Sequence, residues 1–181
     1  MAETGSSGRG GAVFARIARW RVPLGFAFGV AAVALSHPSR ESLTTGAIVG
    51  ACGELVRIWA AGHLEKGREV TRSGPYRWTR HPLYAGSSIM GAGLAVASRS
   101  VLVTVAIAAY LAVTISAAIR TEEAHLTEKF GSEYGAYREG TAAPVARRFS
   151  LARAIRNREY RSALGFAAVL AILALRSRGV L

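Results

Sequence analysis

Leu83–Ser98, LYAGSSIMGAGLAVAS, is followed by Arg99-Ser100 and then by Val101–Ile119, VLVTVAIAAYLAVTISAAI. Neither apolar run carries a charge, and the two polar residues between them leave no room for a wide connection, so a tight helical hairpin is expected. At about 1.5 Å per residue the first run makes roughly 24 Å of helix, short of the roughly 30 Å hydrocarbon core unless its flanks extend it or the bilayer thins. Composition points the same way. Hydrophobic residues make up 51% of the 181 and charged residues 19%, below the roughly 25% of soluble domains.

Outward from the hairpin, Leu43–Ala61 is interrupted only by Glu54 and Arg57. These are three apart on one helical face, so they can pair with each other and point into a bundle. Gly46, Gly50 and Gly53 give the small-residue spacing that admits a close neighbour. At the other end Ala163–Leu175 is short for a span, and reads either as a crossing extended by Tyr160 and the tail or as an interfacial helix. Upstream, Val22–Leu35 follows Arg16, Arg19, Trp20 and Arg21, and residues 1–15 form a Gly/Ser-rich tip expected to be disordered. A cleaved signal peptide fits less well, because Ser36-His37-Pro38-Ser39 is a poor cleavage site. The expected fold is all-α: an integral membrane helical bundle of about five apolar helices with a tight central hairpin, one domain over residues 16–181.

Lys and Arg number 23 against 11 acids, all of them Glu, for a net charge of +12. Such a chain seeks anionic surroundings. Its basic stretches alternate with long apolar runs, which suits membrane lipids as partners better than nucleic acid. The basic loops, 62–82 and 120–162, mark the cytoplasmic side, and the hairpin supplies the even number of crossings between them. Cys52 is the sole cysteine, so no internal disulfide and no cysteine zinc site can form. Glu122-Glu123-Ala124-His125 holds one Glu-x-x-His step without a second copy, and neither His-Glu-x-x-His nor a phosphate-cradling glycine loop occurs, so no metal is expected.

Two clusters carry unusual residues. In Ser73-Gly74-Pro75-Tyr76-Arg77-Trp78-Thr79-Arg80-His81-Pro82-Leu83-Tyr84, one reading is a membrane-entry loop with aromatic and basic anchors. The other notes that Arg80, His81 and Tyr84 converge on the first turn of a helix, where free N–H groups favour an anion. In the second cluster Glu122 and Glu123 sit at a membrane boundary, either solvated or ready to bind hydroxyls and balance a cation. Phe130, Tyr134 and Tyr137 follow at helical spacing, which by itself favours packing.

Gly74-Pro75-Tyr76-Arg77-x-x-Arg80-His81-Pro82-x-Tyr84-x-Gly86, a hairpin, then Glu122-Glu123-x-x-Leu126-x-x-x-Phe130-Gly131-x-x-Tyr134-x-x-Tyr137 resembles the isoprenylcysteine carboxyl methyltransferase and phospholipid N-methyltransferase group of membrane enzymes. The likeness covers about residues 54–150. Arg57-Ile58-Trp59-Ala60 and Asn157-x-Glu159-Tyr160 also look like bacterial members. The resemblance implies S-adenosylmethionine as methyl donor in a cytoplasmic-side pocket, with a lipophilic acceptor arriving from the bilayer. It carries over His81, Pro82, Tyr84, Gly91, Gly93, Glu122, Glu123, Tyr134 and Tyr137 as donor contacts. A carboxylate acceptor would need a cation such as Arg57 or Arg80, and an amine would need a carboxylate such as Glu54 or Glu122. Members often end this region Val-Pro-Arg-x-x-Pro, whereas Pro144-Val145-Ala146-Arg147-Arg148-Phe149 lacks that order, which leaves closure of the pocket open on that side. Two alternatives stand beside this reading: an NADPH-dependent reductase related to membrane sterol reductases, which share an Arg-His-Pro/Asn-x-Tyr segment, and a non-catalytic protein that binds anionic lipid.

Overall fold

A computed structural model describes residues 29–180. The tip, the Arg/Trp anchor and most of the first apolar run lie outside those residues. The chain divides into two compact units, Met1–Leu35 and Ser36–Leu181. Of the first, residues 29–34 are helical. The second contains α1 (Arg40–His63), a 3-10 turn (Gly74–Arg77), α2 (Pro82–Ser98), α3 (Val101–Arg138), α4 (Leu151–Arg156) and α5 (Tyr160–Ser177). Among the described residues there is no strand.

Local chemistry sets the boundaries. Ser39 and Ser42 form a reciprocal capping box that starts α1, satisfying two N–H groups that the helix cannot. At its other end Asn157 Nδ2 donates to the carbonyls of Ala61 and Leu64, each at 2.9 Å. Pro82 opens α2, where its missing N–H is no loss. Arg99 turns the chain in the left-handed region at φ 51°, ψ 34°, and Ser100 accepts from the Val103 N–H to start α3. The two-residue connection makes the tight hairpin.

The second polar stretch departs from the expected loop. Residues 120–138 continue α3, which is 38 residues long, and the chain leaves the helix only at Glu139. Charge density masked a helical face: Leu126, Phe130, Tyr134 and Tyr137 recur at helical spacing. Gly131, at φ 48° and ψ −117°, breaks the ladder and kinks the helix there, a conformation for which glycine has no steric penalty.

α3 and α5 are long and apolar enough to cross a membrane, α5 by extending the apolar run 163–175 through Tyr160 and Ser177. Val101, Leu102, Val105, Val113 and Leu164 on them are exposed. Apolar side chains left outside the core along a whole helix call for a hydrocarbon surrounding, so membrane association follows. α1 has Glu54 and Arg57 within it and α2 is 17 residues long; neither reaches that measure.

α1 and α2 form the most extensive helix pair and meet through glycine. A Cβ on Gly93 would lie 2.5 Å from the Gly50 nitrogen and 2.6 Å from the Gly46 oxygen, and one on Gly53 would lie 2.6 Å from the Gly86 oxygen. The backbones therefore touch, as the spacing of Gly46, Gly50 and Gly53 led one to expect. Gly53→Val should lower the melting temperature in detergent, with a cost of about 1–3 kcal/mol from overpacking. Gly135→Ala, where nothing lies within 4 Å, should hold or raise it, since alanine is favoured over helical glycine by about 0.5–1 kcal/mol.

Candidate functional site

His81 caps the N-terminus of α2 without using its side chain as the cap. Its carbonyl accepts from Tyr84 and Ala85, and the ring is left free to face α3. There Nε2 meets Glu123 Oε1 at 3.0 Å. A carboxylate only accepts, so Nε2 carries the hydrogen. Arg80 Nη1 lies 3.5 Å from the same oxygen. Glu122 Oε2 stands 3.9 Å from His81 Nδ1, beyond hydrogen-bond reach. The Tyr84 ring packs on His81 with centroids 5.8 Å apart, and Pro82 is fully buried beneath.

Beyond the Gly131 kink, Tyr134 is 2% exposed and Tyr137 donates its hydroxyl to the Tyr76 carbonyl at 2.7 Å. Their rings are 6.2 Å apart. Two polar atoms in this cluster are buried without a well-formed hydrogen bond among the described residues: His81 Nδ1, and the Tyr134 hydroxyl, which still interacts with the Glu123 carboxylate. Buried polar atoms are nearly always satisfied, and leaving one bare costs about 1–3 kcal/mol, so a pair beside two carboxylates points to a ligand.

The electrostatics keep this cluster split into anions and neutral donors. The His81 hydrogen bond, with help from the Arg80 charge, holds the Glu123 carboxyl below the usual range. Burial and then the Glu123 charge push the Tyr134 hydroxyl up, and burial above all raises Tyr137 to about 12. Both tyrosines stay protonated at neutral pH.

Other expected site residues lie apart. A Cβ on Gly91 would contact the Ile107 side chain at 3.3 Å, and Gly93 faces α1. Both sit about 15 Å or more along α2 from His81, by helical rise, so they hold helices together rather than lining the His81 cluster. Arg57 stands next to the start of α2 but is committed there: Nε donates to Glu159 Oε1 at 2.6 Å, and Nη1 donates to the Leu83 carbonyl at 3.2 Å and to Ser87 Oγ. Glu54, its expected partner, keeps an ion-pair contact at 4.0 Å and also accepts from Ser162 at 3.0 Å.

Sequence reasoning gave Glu159 no role in holding Arg57, although an arginine inside an apolar run needs a carboxylate and Glu159 stands just before the last one. It also missed how residues 145–153 are fastened. Arg147 binds Glu69 through both carboxylate oxygens at 2.6 and 2.7 Å, Ser150 N–H donates to the Gly62 carbonyl at 3.1 Å, and Arg153 Nε donates to Glu65 at 2.7 Å. Arginine forks thus hold this segment against the 62–72 loop although the proline pattern is absent. Among the described residues no three His, Cys, Asp or Glu side chains gather to hold a metal ion.

Residues 42–133, just over half of the chain, match the family described as phospholipid methyltransferase. The cobalt-zinc-cadmium resistance protein CzcN of Cupriavidus metallidurans is 31% identical over 137 residues, 71% of this chain and 62% of that one. The nickel-cobalt-cadmium resistance protein NccN of Alcaligenes xylosoxydans xylosoxydans is 30% identical over 107 residues, 58% of this chain and 50% of that one. The chain thus spans between half and two thirds of the length of these relatives. No solved structure matches.

The depressed Glu123 carboxyl yields a signed pH effect. A folded value below the unfolded one, about 4.3, contributes stability above that pH, and the contribution is lost as pH falls through the folded value. The difference in melting temperature between wild type and Glu123→Gln should therefore persist at pH 5 and disappear under stronger acid. In a His81→Ala background it should begin to fade at higher pH.

Proposed function

The chain belongs to the phospholipid methyltransferase family, and on that premise we propose that it transfers a methyl group from S-adenosylmethionine to a lipophilic acceptor at the membrane. The observation that supports this best is the His81–Glu123 contact with two buried atoms that lack a well-formed hydrogen bond among the described residues, His81 Nδ1 and the Tyr134 hydroxyl, next to it. The donor set fits a nucleoside bearing a sulfonium. Glu122 and Glu123 can accept from hydroxyl or ammonium groups, His81 Nδ1 is open to a hydrogen bond, the Tyr134 hydroxyl donates, and Arg80 can pair with a carboxylate. Pro82, Tyr84 and Tyr137 supply the surrounding walls.

The bound donor would supply a methyl group activated by a positively charged sulfur. Displacement at such a carbon is in line and moves charge without needing a strong base, so the protein's part is alignment and electrostatics. Glu122 and Glu123 offset positive charge before transfer. For an amine acceptor Glu122, whose ion contact among the described residues is with His81 and not with a guanidinium, is placed to take the proton; for a carboxylate acceptor Arg80 is a nearby cation. Arg57, committed to Glu159, Ser87 and Leu83, acts as a positioning residue that ties α1 to the start of α2. In this reading the chain crosses the bilayer several times with its basic segments cytoplasmic, and the acceptor enters from lipid. The relatives' names concern metal resistance; the bearing on this chain is modification of a membrane component.

Calorimetry on detergent-purified chain tests the reading. S-adenosylmethionine should bind, and His81→Ala and Glu123→Ala should each weaken it at least about tenfold, the loss expected for a charge-assisted hydrogen bond. Binding of NADPH in its place would favour a reductase, and binding of neither would leave a lipid-binding protein.

A further inference from the structure

A cleft of about 300 Å³ opens beside the His81 cluster, lined by Arg72, Tyr76, Arg77, Trp78, Tyr137 and the Gly140–Pro144 turn. Its lining carries two guanidinium groups and no carboxylate. Arg72 Nη2 reaches out to Glu133 at 3.3 Å, but its Nε is buried with no hydrogen-bond partner among the described residues. Arg77 is exposed. The Tyr137 hydroxyl donates to the Tyr76 backbone carbonyl at 2.7 Å, and the Tyr137 ring packs toward Tyr134, so the cleft and the proposed donor site share a wall. Trp78 is 74% exposed and its ring lies 5.6 Å from that of Trp59 on α1. Paired tryptophans at the end of an apolar helix mark head-group depth.

We propose that this cleft is an anion seat for the phosphate or carboxylate of an amphiphile's head group, held by Arg72 and Arg77 with its apolar part beside Trp78. The inference rests on the methyltransferase reading only in naming the ligand as the acceptor; the seat itself stands on the cleft's own residues. A guanidinium fork with one buried N–H left bare is matched by a planar or tetrahedral oxyanion. The shared wall at Tyr137 would bring a head group anchored there to the edge of the methyl-donor site.

Binding of short-chain phosphatidylglycerol to the detergent-purified chain tests this, with short-chain phosphatidylcholine as the zwitterionic comparison. The expected preference for the anionic lipid should fall about thirtyfold in Arg72→Gln/Arg77→Gln, on the scale of two basic contacts at about 1 kcal/mol each. It should be only partly kept in Arg72→Lys/Arg77→Lys, which retains the charge but not the fork, and should survive in Lys66→Gln/Arg68→Gln, which removes the same charge from the same loop outside the cleft. Competition by inorganic phosphate supports a seat for which a free anion suffices, and lipid preference without that competition supports one that needs the anchored head group. Equal loss in the two glutamine pairs, or no preference in wild type, overturns the proposal. Helix content and melting temperature of each variant exclude misfolding as the cause. S-adenosylmethionine binding, measured on the same samples, separates the two readings: binding kept without lipid preference overturns the seat alone, and lipid preference without binding overturns the enzyme alone.

Discussion

Backbone contact between α1 and α2 is the constraint from which the rest of the arrangement follows. Gly46 and Gly53 meet the backbones of Gly93 and Gly86, Gly93 in turn lies against the Gly50 backbone, and the open side of Gly50 takes the Phe166 ring of α5. This close approach lets one arginine span the pair: Arg57 starts on α1, reaches the Leu83 carbonyl and Ser87 on α2, and takes Glu159 from the start of α5. A buried guanidinium is tolerated only when its donors are satisfied, so three elements are pinned at one point. That point is one turn from His81, and the first turn of α2 is consequently rigid where a ligand site needs it to be.

Opposite that turn, the polar end of α3 brings Glu122 and Glu123 down on His81, and the Gly131 kink redirects the helix so that Tyr134 becomes buried and Tyr137 can reach Tyr76. The outcome is a small region holding carboxylates, neutral hydroxyls and one imidazole nitrogen without a partner among the described residues. Pre-arranged groups of this kind suit a reaction that demands alignment and charge compensation more than acid or base strength. The arginine-fastened segment from Arg147 to Arg153 holds the neighbouring loop against the end of α1, so the polar side of the molecule is stiffened by salt bridges where the apolar side is stiffened by glycine.

Much of this was legible in the sequence, for identifiable reasons. Arg99-Ser100 between two uncharged runs left only a tight turn, and glycines at small-residue spacing foretold a close helix pair. The meeting of His81 with the Glu122-Glu123 doublet came from the family resemblance, which spacing alone could not supply. Three features were hidden. The helix through 120–138 was obscured because charge density outweighed an aromatic periodicity that was plainly present. Arg57 does pair with Glu54, three residues away, at 4.0 Å, but its closer partner is Glu159, 102 residues further on; local spacing cannot weigh a partner that only tertiary structure delivers. Gly91 and Gly93 mark a helix surface, but a glycine does not say whether its neighbour is a ligand or another helix.

The central claim, that this cluster presents a methyl donor to something in the membrane, is tested most directly by following the methyl group. Membranes containing the chain, incubated with methyl-labelled S-adenosylmethionine and then extracted, should carry label in the lipid-soluble fraction. That label should be absent with Glu123→Ala at matched protein level. Label that is missing with the wild-type chain, or undiminished by the substitution, would contradict the account.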